Sequence, residues 1–510
     1  MTQATAVTDV LRLTSGTLAT DNNPLTLLST AAGSAYAVHA GGTTAGNVTV
    51  QRYVGGPATA SYHHLSSPVQ AAPVFDLATT GFTPKVNPAY NAIPTPTLPA
   101  ASFPNVFFFD EARGGAANSS FTLGYASPAS LGAVLTPGAG YSVAIGGGQT
   151  PDFVGALTSG NVSMSGLMAT GNPATNAKAG WFLLGNPYPQ PIDWDLATIP
   201  AGLDPTIYVW HSTGGTTGAY RLRTATTQVG NLTNGVLALG QAFFARVTGA
   251  GPVSFTFTNA LRVENNAVAL GRPATATAPL LRLNLTKVGA PAAQTDATFL
   301  TTAAAASVGF DAGLDALRPG RNVGVPTLAT MIGGAEAAIN SLPDAVLTSP
   351  AETVVELTAA LPTPGAYTLS VGELTSFGAT SVVLFDRLTS TRYDLTQQLT
   401  VTLTATRVNE VVTGRFALVL NGQRVTGTSD LAPLTPHLTV YPNPTAVGGA
   451  VQVAGCRAGA AVAVYDGAGR RVATGVADAA GVAELSIRNL AVGVYTVRAD
   501  NGRTTRLMVE

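Results

Sequence analysis

Apolar and polar residues alternate with a period of two along most of the chain. In the run that starts at Leu280, Leu281, Leu283 and Leu285 fall on one side and Arg282, Asn284 and Thr286 on the other. Val401, Leu403 and Ala405 alternate in the same way with Thr402, Thr404 and Thr406. Phe416, Leu418 and Leu420 share a face, and so do Phe255 and Phe257. This period marks a half-buried strand, because successive side chains point to opposite faces. Val, Thr, Phe and Tyr fill these runs, as strands favour. Gly, Pro, Asn and Asp separate them, which is turn chemistry. Short runs with frequent breaks predict antiparallel β-sandwiches rather than alternating strands and helices. The alanine-rich patches at 301–306 and 335–338 have helix propensity but no apolar stripe at helical spacing, and glycine or proline interrupts both neighbourhoods.

The expected fold class is all-β. It consists of several antiparallel β-sandwich modules in tandem, immunoglobulin-like or jelly-roll-like, after a short β-solenoid-like N-terminal piece. Residues 1–50 carry short strand-like pieces whose Gly/Thr spacing suggests solenoid turns, too few to be stable alone. Residues 51–266 hold all three tryptophans and form a β-rich surface module. Residues 277–421 form a β-sandwich module. Residues 423–436 read as a linker, and 437–510 as a compact final block.

Composition narrows the function. The 510 residues suit three or four domains. Charged residues make up 10%, against about 25% in typical soluble domains. The net charge of −1 excludes a nucleic-acid binder driven by bulk electrostatics and a polybasic membrane-surface protein. No run of 18 apolar residues exists, so no membrane-spanning helix is expected. The single cysteine, Cys456, excludes an intrachain disulfide framework and any multi-cysteine metal site.

The final block carries the most specific pattern. Tyr441-Pro442-Asn443-Pro444 opens it with an extended, non-helical segment. Asp466-Gly467 signals a turn between two strands, followed by Gly469. Leu485 and Ile487 form one strand face, Tyr495 and Val497 another, and Leu507 and Val509 a last one. These spaced elements resemble the type A C-terminal sorting domain of the Bacteroidetes type IX secretion system. The resemblance rests on Tyr441 to Pro444, Asp466, Gly467 and Gly469, the segment from Leu490 through Gly493 to Tyr495, and a terminal strand with Arg506, Leu507 and Val509. The family's last strand usually bears lysine; here Arg503 and Arg506 stand in its place.

That resemblance implies a protein that is secreted or held on the cell surface, outside the outer membrane. It implies the type IX translocon and its sortase as partners of 437–510, with attachment to surface lipopolysaccharide or release. It also implies a Sec signal. The N-terminus, MTQATAVTDVLRLTSG, has no basic region and no apolar core of that kind, so the natural start is expected upstream. The body looks less specifically like large surface proteins of the same bacteria. These likenesses imply location and architecture but no reaction. The expectation is therefore a non-enzymatic, adhesin-like or structural protein without cofactor or metal, with a glycan or matrix molecule as ligand. The alternative is the non-catalytic part of a secreted hydrolase, or a carbohydrate-binding accessory protein.

Each candidate for chemistry has a plainer structural reading. His39, His63, His64, His211 and His437 are scattered, and His63 and His64 on one strand would face opposite sides. Asp193 and Asp195 could offer oxygen ligands to calcium, as could Asp311 and Asp315, but no EF-hand run exists and capped turns fit both pairs. Asp110-Glu111 could be half of a glycosidase pair, or a strand end and a charged turn. Gly146-Gly147-Gly148 lacks the lysine and helix of a phosphate loop. Trp181, Trp194 and Trp210 could make a sugar platform, although their strand positions favour core packing.

Overall fold

The alternating runs form strands, and their apolar faces are buried. In a computed structural model Leu281, Leu283 and Leu285 are buried, as are Val401, Leu403 and Ala405. The structure describes residues 3–20, 23–116, 120–173, 176–264, 278–378, 380–396, 400–421, 438–479, 481–499 and 504–510. The fold is all-β. Among the described residues the α-helical structure is one four-residue turn, Glu111–Gly114. The linker expected at 423–436, His437 and Arg503 lie outside the described residues.

The chain divides into two compact units, Met1–Thr275 with Ala312–Gly324, and Ala276–Asp311 with Val325–Glu510. In the first unit, residues 5–51 wind as parallel coils. Thr5–Val7 pairs in parallel with Leu25–Leu27, which pairs in parallel with Val48–Gln51. Val10–Leu13 lies parallel to Tyr36–His39, and Thr17–Ala19 to Thr43–Ala45. Gly41 (φ 132°) sits where a Cβ would come within 2.5 Å of the Thr14 carbonyl oxygen of the coil before it, so only glycine lets the coils stack there. The coils do not form a separate piece. Val48–Gln51 pairs antiparallel with Asp152–Gly155, and Leu25, Leu27, Val48 and Val50 share one apolar cluster with Val69, Val143 and Phe153.

Two four-stranded sheets follow. One has the order Ser61–Ser66, Gly140–Ile145, Val106–Phe109, Tyr125–Ala126. The other runs Trp181–Gly185, Ala242–Arg246, Thr206–Gly214, Thr217–Thr224. Trp194, Phe243, Phe255 and Phe257 are fully buried in a second cluster.

The second unit contains a long sheet. Strands from near both ends of its path, Val382–Asp386 and Thr400–Ala405, feed one apolar cluster with Leu281, Leu285, Phe416 and Leu418. The alanine-rich patch is strand, not helix: Ala335–Pro343 pairs antiparallel with Thr327–Ile332 and parallel with Asp296–Ala303. Ala337, Ala338 and Ile339 are buried in this sheet, where tertiary packing outweighs alanine's helix propensity. Residues 312–324, expected within the 277–421 block, group with the first unit instead.

Candidate functional site

The final block is a two-sheet sandwich with its own core. Thr439–Tyr441, Ala450–Ala454 and Ala483–Ser486 make one sheet. Arg471–Val476, Ala461–Tyr465, Gly493–Ala499 and Thr504–Val509 make the other, in that order. Val451, Val453, Val462, Val464, Leu485, Val497 and Leu507 fill the space between them.

The residues picked out in the sequence do different jobs here. Thr504–Val509 is an edge strand, and an exposed edge invites unwanted pairing. The segment after Tyr441 covers it. Asn443 accepts from the Met508 amide at 2.8 Å and donates to the Arg506 carbonyl at 2.8 Å, so its side chain imitates a strand residue. The Thr445 amide then donates to the Met508 carbonyl, and the Glu510 amide to the Thr445 carbonyl. Pro442 and Pro444, both after cis peptide bonds, flank Asn443. The Tyr441 hydroxyl donates to Gln452 at 2.7 Å, and burial pushes its pKa up. We expect Asn443→Ala to cost about 1 kcal/mol and to speed hydrogen exchange at the Met508 amide, because both bonds go. Unchanged exchange there would show that the strand edge is held without Asn443.

Asp466, Gly467 and Gly469 build a tight hairpin. The Asp466 carboxylate accepts from the amides of Arg470 and Ala468 and from the Arg470 guanidinium at 2.8–3.0 Å. The Arg470 amide bond leads the effects that hold this carboxyl below the usual range. Gly469 adopts φ 76°, which favours glycine. Tyr495 packs its ring in the core and donates its hydroxyl to the Ala491 carbonyl at 2.8 Å. This is a tyrosine corner, a tie between a strand start and the loop before it. Tyr367 makes the same bond to the Thr363 carbonyl at 2.7 Å in the second unit's long sheet. Gly493 has no positive φ, and a Cβ there would meet the Tyr495 ring at an ordinary 3.8 Å. Arg506 turns its side chain outward, opposite Thr496, with no side-chain partner among the described residues.

In the body, the candidate acids are committed to structure. Glu111 is buried and accepts from the Thr170 amide and hydroxyl and from the Gly180 amide, at 2.7–3.0 Å. Asp110 caps the short helix through the Ala112 amide. Asp193 caps a turn at the Asp195 amide, and Asp195 forms a bidentate pair with Arg223, so the two aspartates do not converge on one ion. Asp311 accepts from Ser307. Trp181 and Trp194 are fully buried, and Trp210 packs on Tyr220 at 5.0 Å, so the three do not form a sugar platform. Gly146 and Gly147 lie where a Cβ would meet the Ala58 and Gly56 carbonyls at 2.2 and 2.1 Å; the glycines permit a chain crossing rather than a phosphate loop.

His64 is buried against Phe244, and His63 shares a hydrogen bond with Ser61 at 3.0 Å. Burial, then the Arg52 guanidinium and the neighbouring His211, lowers the His63 pKa to about 4; burial, then His63, lowers that of His64 to about 3. Both are neutral when folded at neutral pH. Below 6.5 the unfolded chain binds the extra protons, so stability falls as pH drops from 6.5 towards these values. Each unit of lowering is worth roughly 1.4 kcal/mol. His64→Phe is expected to flatten the fall in melting temperature between neutral pH and about pH 4. An unchanged slope would place the acid sensitivity elsewhere.

Residues 31–419 match the family model described as Domain of unknown function (DUF8693). The chain belongs to that family. Residues 439–510 of this DUF8693 protein match the Secretion system C-terminal sorting domain, as the spaced motifs imply. It is therefore a Bacteroidetes-type protein exported by type IX secretion to the cell surface or beyond, and its tail engages that system. No helix among the described residues is long and apolar enough to cross a membrane. No curated protein matches the chain. One solved structure that matches is PorZ, an essential bacterial surface component of the type-IX secretion system of Porphyromonas gingivalis, at 12% identity. That match covers 62% of this chain and 59% of PorZ, with a TM-score of 0.14. A biofilm associated protein BSP domain matches at 10% identity over 90% of this chain and 98% of that one, with a TM-score of 0.17.

The sequence did not single out Thr445, which continues the edge cover begun by Asn443. It also missed Asp204, a buried carboxyl raised to about 6 by burial, which accepts from the Thr206 amide. The only signal for Thr445 was its place directly after the Tyr-Pro-Asn-Pro run.

Proposed function

We propose that this DUF8693 protein is a non-enzymatic, adhesin-like or structural component of the bacterial surface. The observation that carries the reading is the use of its chemistry-bearing side chains: Glu111, Asp110, Asp193 and Asp195 are each committed to caps, ion pairs or loop closure. A low-charge β scaffold fits a protein whose task is to present surface. Array binding of the purified chain to glycans and matrix proteins tests it, with calcium and then with chelator. A specific hit supports adhesion, and turnover of an arrayed glycan would overturn the reading in favour of a hydrolase.

Within the sorting domain, we propose that the translocon and sortase read the outer face of the four-stranded sheet. Tyr441, Pro442, Asn443, Pro444, Asp466, Gly467, Gly469, Gly493 and Tyr495 build the sandwich that presents it. That face carries the exposed cross-strand pair Val494 and Met508 beside the outward Arg506. Attachment to surface lipopolysaccharide follows from sortase action in this reading. Arg506→Glu combined with Val494→Thr is expected to reduce surface display several-fold with no change in melting temperature. Full display by that variant would assign the signal to another face.

A further inference from the structure

A groove of ≈ 490 Å³ opens on the first unit, lined by Tyr62, Lys85, Leu98, Phe103, Pro104 and Asn105 among others. Its size suits a small ligand. Phe103, on the loop before Val106–Phe109, is 39% exposed. It is braced from behind. Tyr90 stands edge-on to it at 5.4 Å, Phe107 lies 6.3 Å away, and Tyr62 packs 6.2 Å from Phe107. The edge-to-face contact with Tyr90 fixes the orientation of the Phe103 ring before anything binds. Lys85 is anchored through its backbone: its amide donates to the Asn105 side chain at 2.6 Å, and the Asn105 amide donates back to the Lys85 carbonyl at 3.0 Å. Asn105 also donates to the Thr83 carbonyl, so its own amide group is used up in holding this wall.

Two polar groups in the groove are unspent. Among the described residues, neither the Lys85 ammonium nor the Tyr62 hydroxyl has a hydrogen-bond or ion-pair partner. Burial raises the Tyr62 pKa, so its hydroxyl stays a neutral donor. No carboxylate lines the groove, and Lys85 is its single charge. A braced aromatic face, a hydroxyl donor and one unopposed cation complement a ligand with an apolar ring face, hydroxyl edges and a negative group.

We infer that this groove binds an acidic saccharide, with a sugar ring stacked on Phe103 and its carboxylate on Lys85. The inference rests on the adhesin-like reading above and names its ligand class. It also moves the sugar platform from the tryptophans to Phe103, which faces solvent.

The test is calorimetric titration of the full chain with tetragalacturonate and, separately, with its fully methyl-esterified form, which keeps the rings and removes the charge. The acid is expected to bind and the ester to bind several-fold more weakly. Phe103→Ala is expected to weaken binding of the acid about 10-fold. Lys85→Met should abolish the preference for acid over ester, a preference that added salt also erodes. Wild-type melting temperatures in both variants would confirm that the fold is intact. No binding at millimolar acid, equal binding of acid and ester, or unchanged binding by both variants would each overturn the groove. Cells displaying the Phe103→Ala chain are scored in parallel for attachment to glycan-coated and matrix-coated surfaces. Loss on the glycan coat alone supports the groove. Attachment equal to wild type on both coats overturns the groove and leaves adhesion standing. Display of the wild-type chain with no gain in attachment to either coat overturns adhesion itself, and the groove's role with it.

Discussion

A chain fused to a Sec leader but lacking residues 437–510 is expected to accumulate in the periplasm, with its surface signal at background. The reason is structural as well as familial. Residues 439–510 match the sorting domain and fill their own apolar cluster, so the body keeps its cores when they are removed. The truncated protein should therefore remain folded and protease-resistant while losing its address. Protease shaving of intact cells, followed by fractionation, reads both properties. Surface exposure equal to that of the full chain would sink the claim that this block directs export. A truncated chain degraded in the periplasm would show instead that the body depends on the block for stability.

The second large effect concerns Tyr495. Its ring is part of the sorting-domain core, and its hydroxyl closes onto the Ala491 carbonyl. Tyr495→Ala removes the ring and leaves a cavity, so the block should lose roughly 3–5 kcal/mol. Tyr495→Phe keeps the ring and frees one carbonyl, for a loss of about 1 kcal/mol. The ratio between the two variants is the diagnostic: it separates packing from the corner hydrogen bond. Hydrogen exchange confined to Gly493–Ala499 and Thr504–Val509 would report the loss without interference from the body. Equal protection in wild type and Tyr495→Ala would mean that the ring carries no packing energy. The alanine variant should also display poorly, since an unfolded sandwich presents no face.

Much of the fold was legible because alternation is a local property. Leu281, Leu283 and Leu285, and Val401, Leu403 and Ala405, each fall on one face by geometry alone, and each set is buried. The turn at Asp466-Gly467 was legible for the same reason: its carboxylate bonds to amides two and four residues away. Ala335–Pro343 was harder to read. Alanine is small enough for either state, and the decision came from two neighbouring strands distant in sequence. The candidate acids show the same limit. That Asp195 meets Arg223, 28 residues on in the chain, depends on tertiary packing the sequence does not announce.

The strand-rich architecture, the low charge that excludes nucleic-acid and polybasic membrane roles, and the sorting block all follow from period, composition and short motifs written in neighbouring residues. Folding sorted the aromatics into those that are core and those that face solvent. It buried Trp181 and Trp194 and left Phe103 at the rim of a groove beside Lys85, a residue 18 positions earlier that only loop packing brings to it. It also revealed that Asn443 serves the last strand of the chain. The physical reason is the same in each case: burial and pairing are set by residues far apart along the chain, and no local pattern records them.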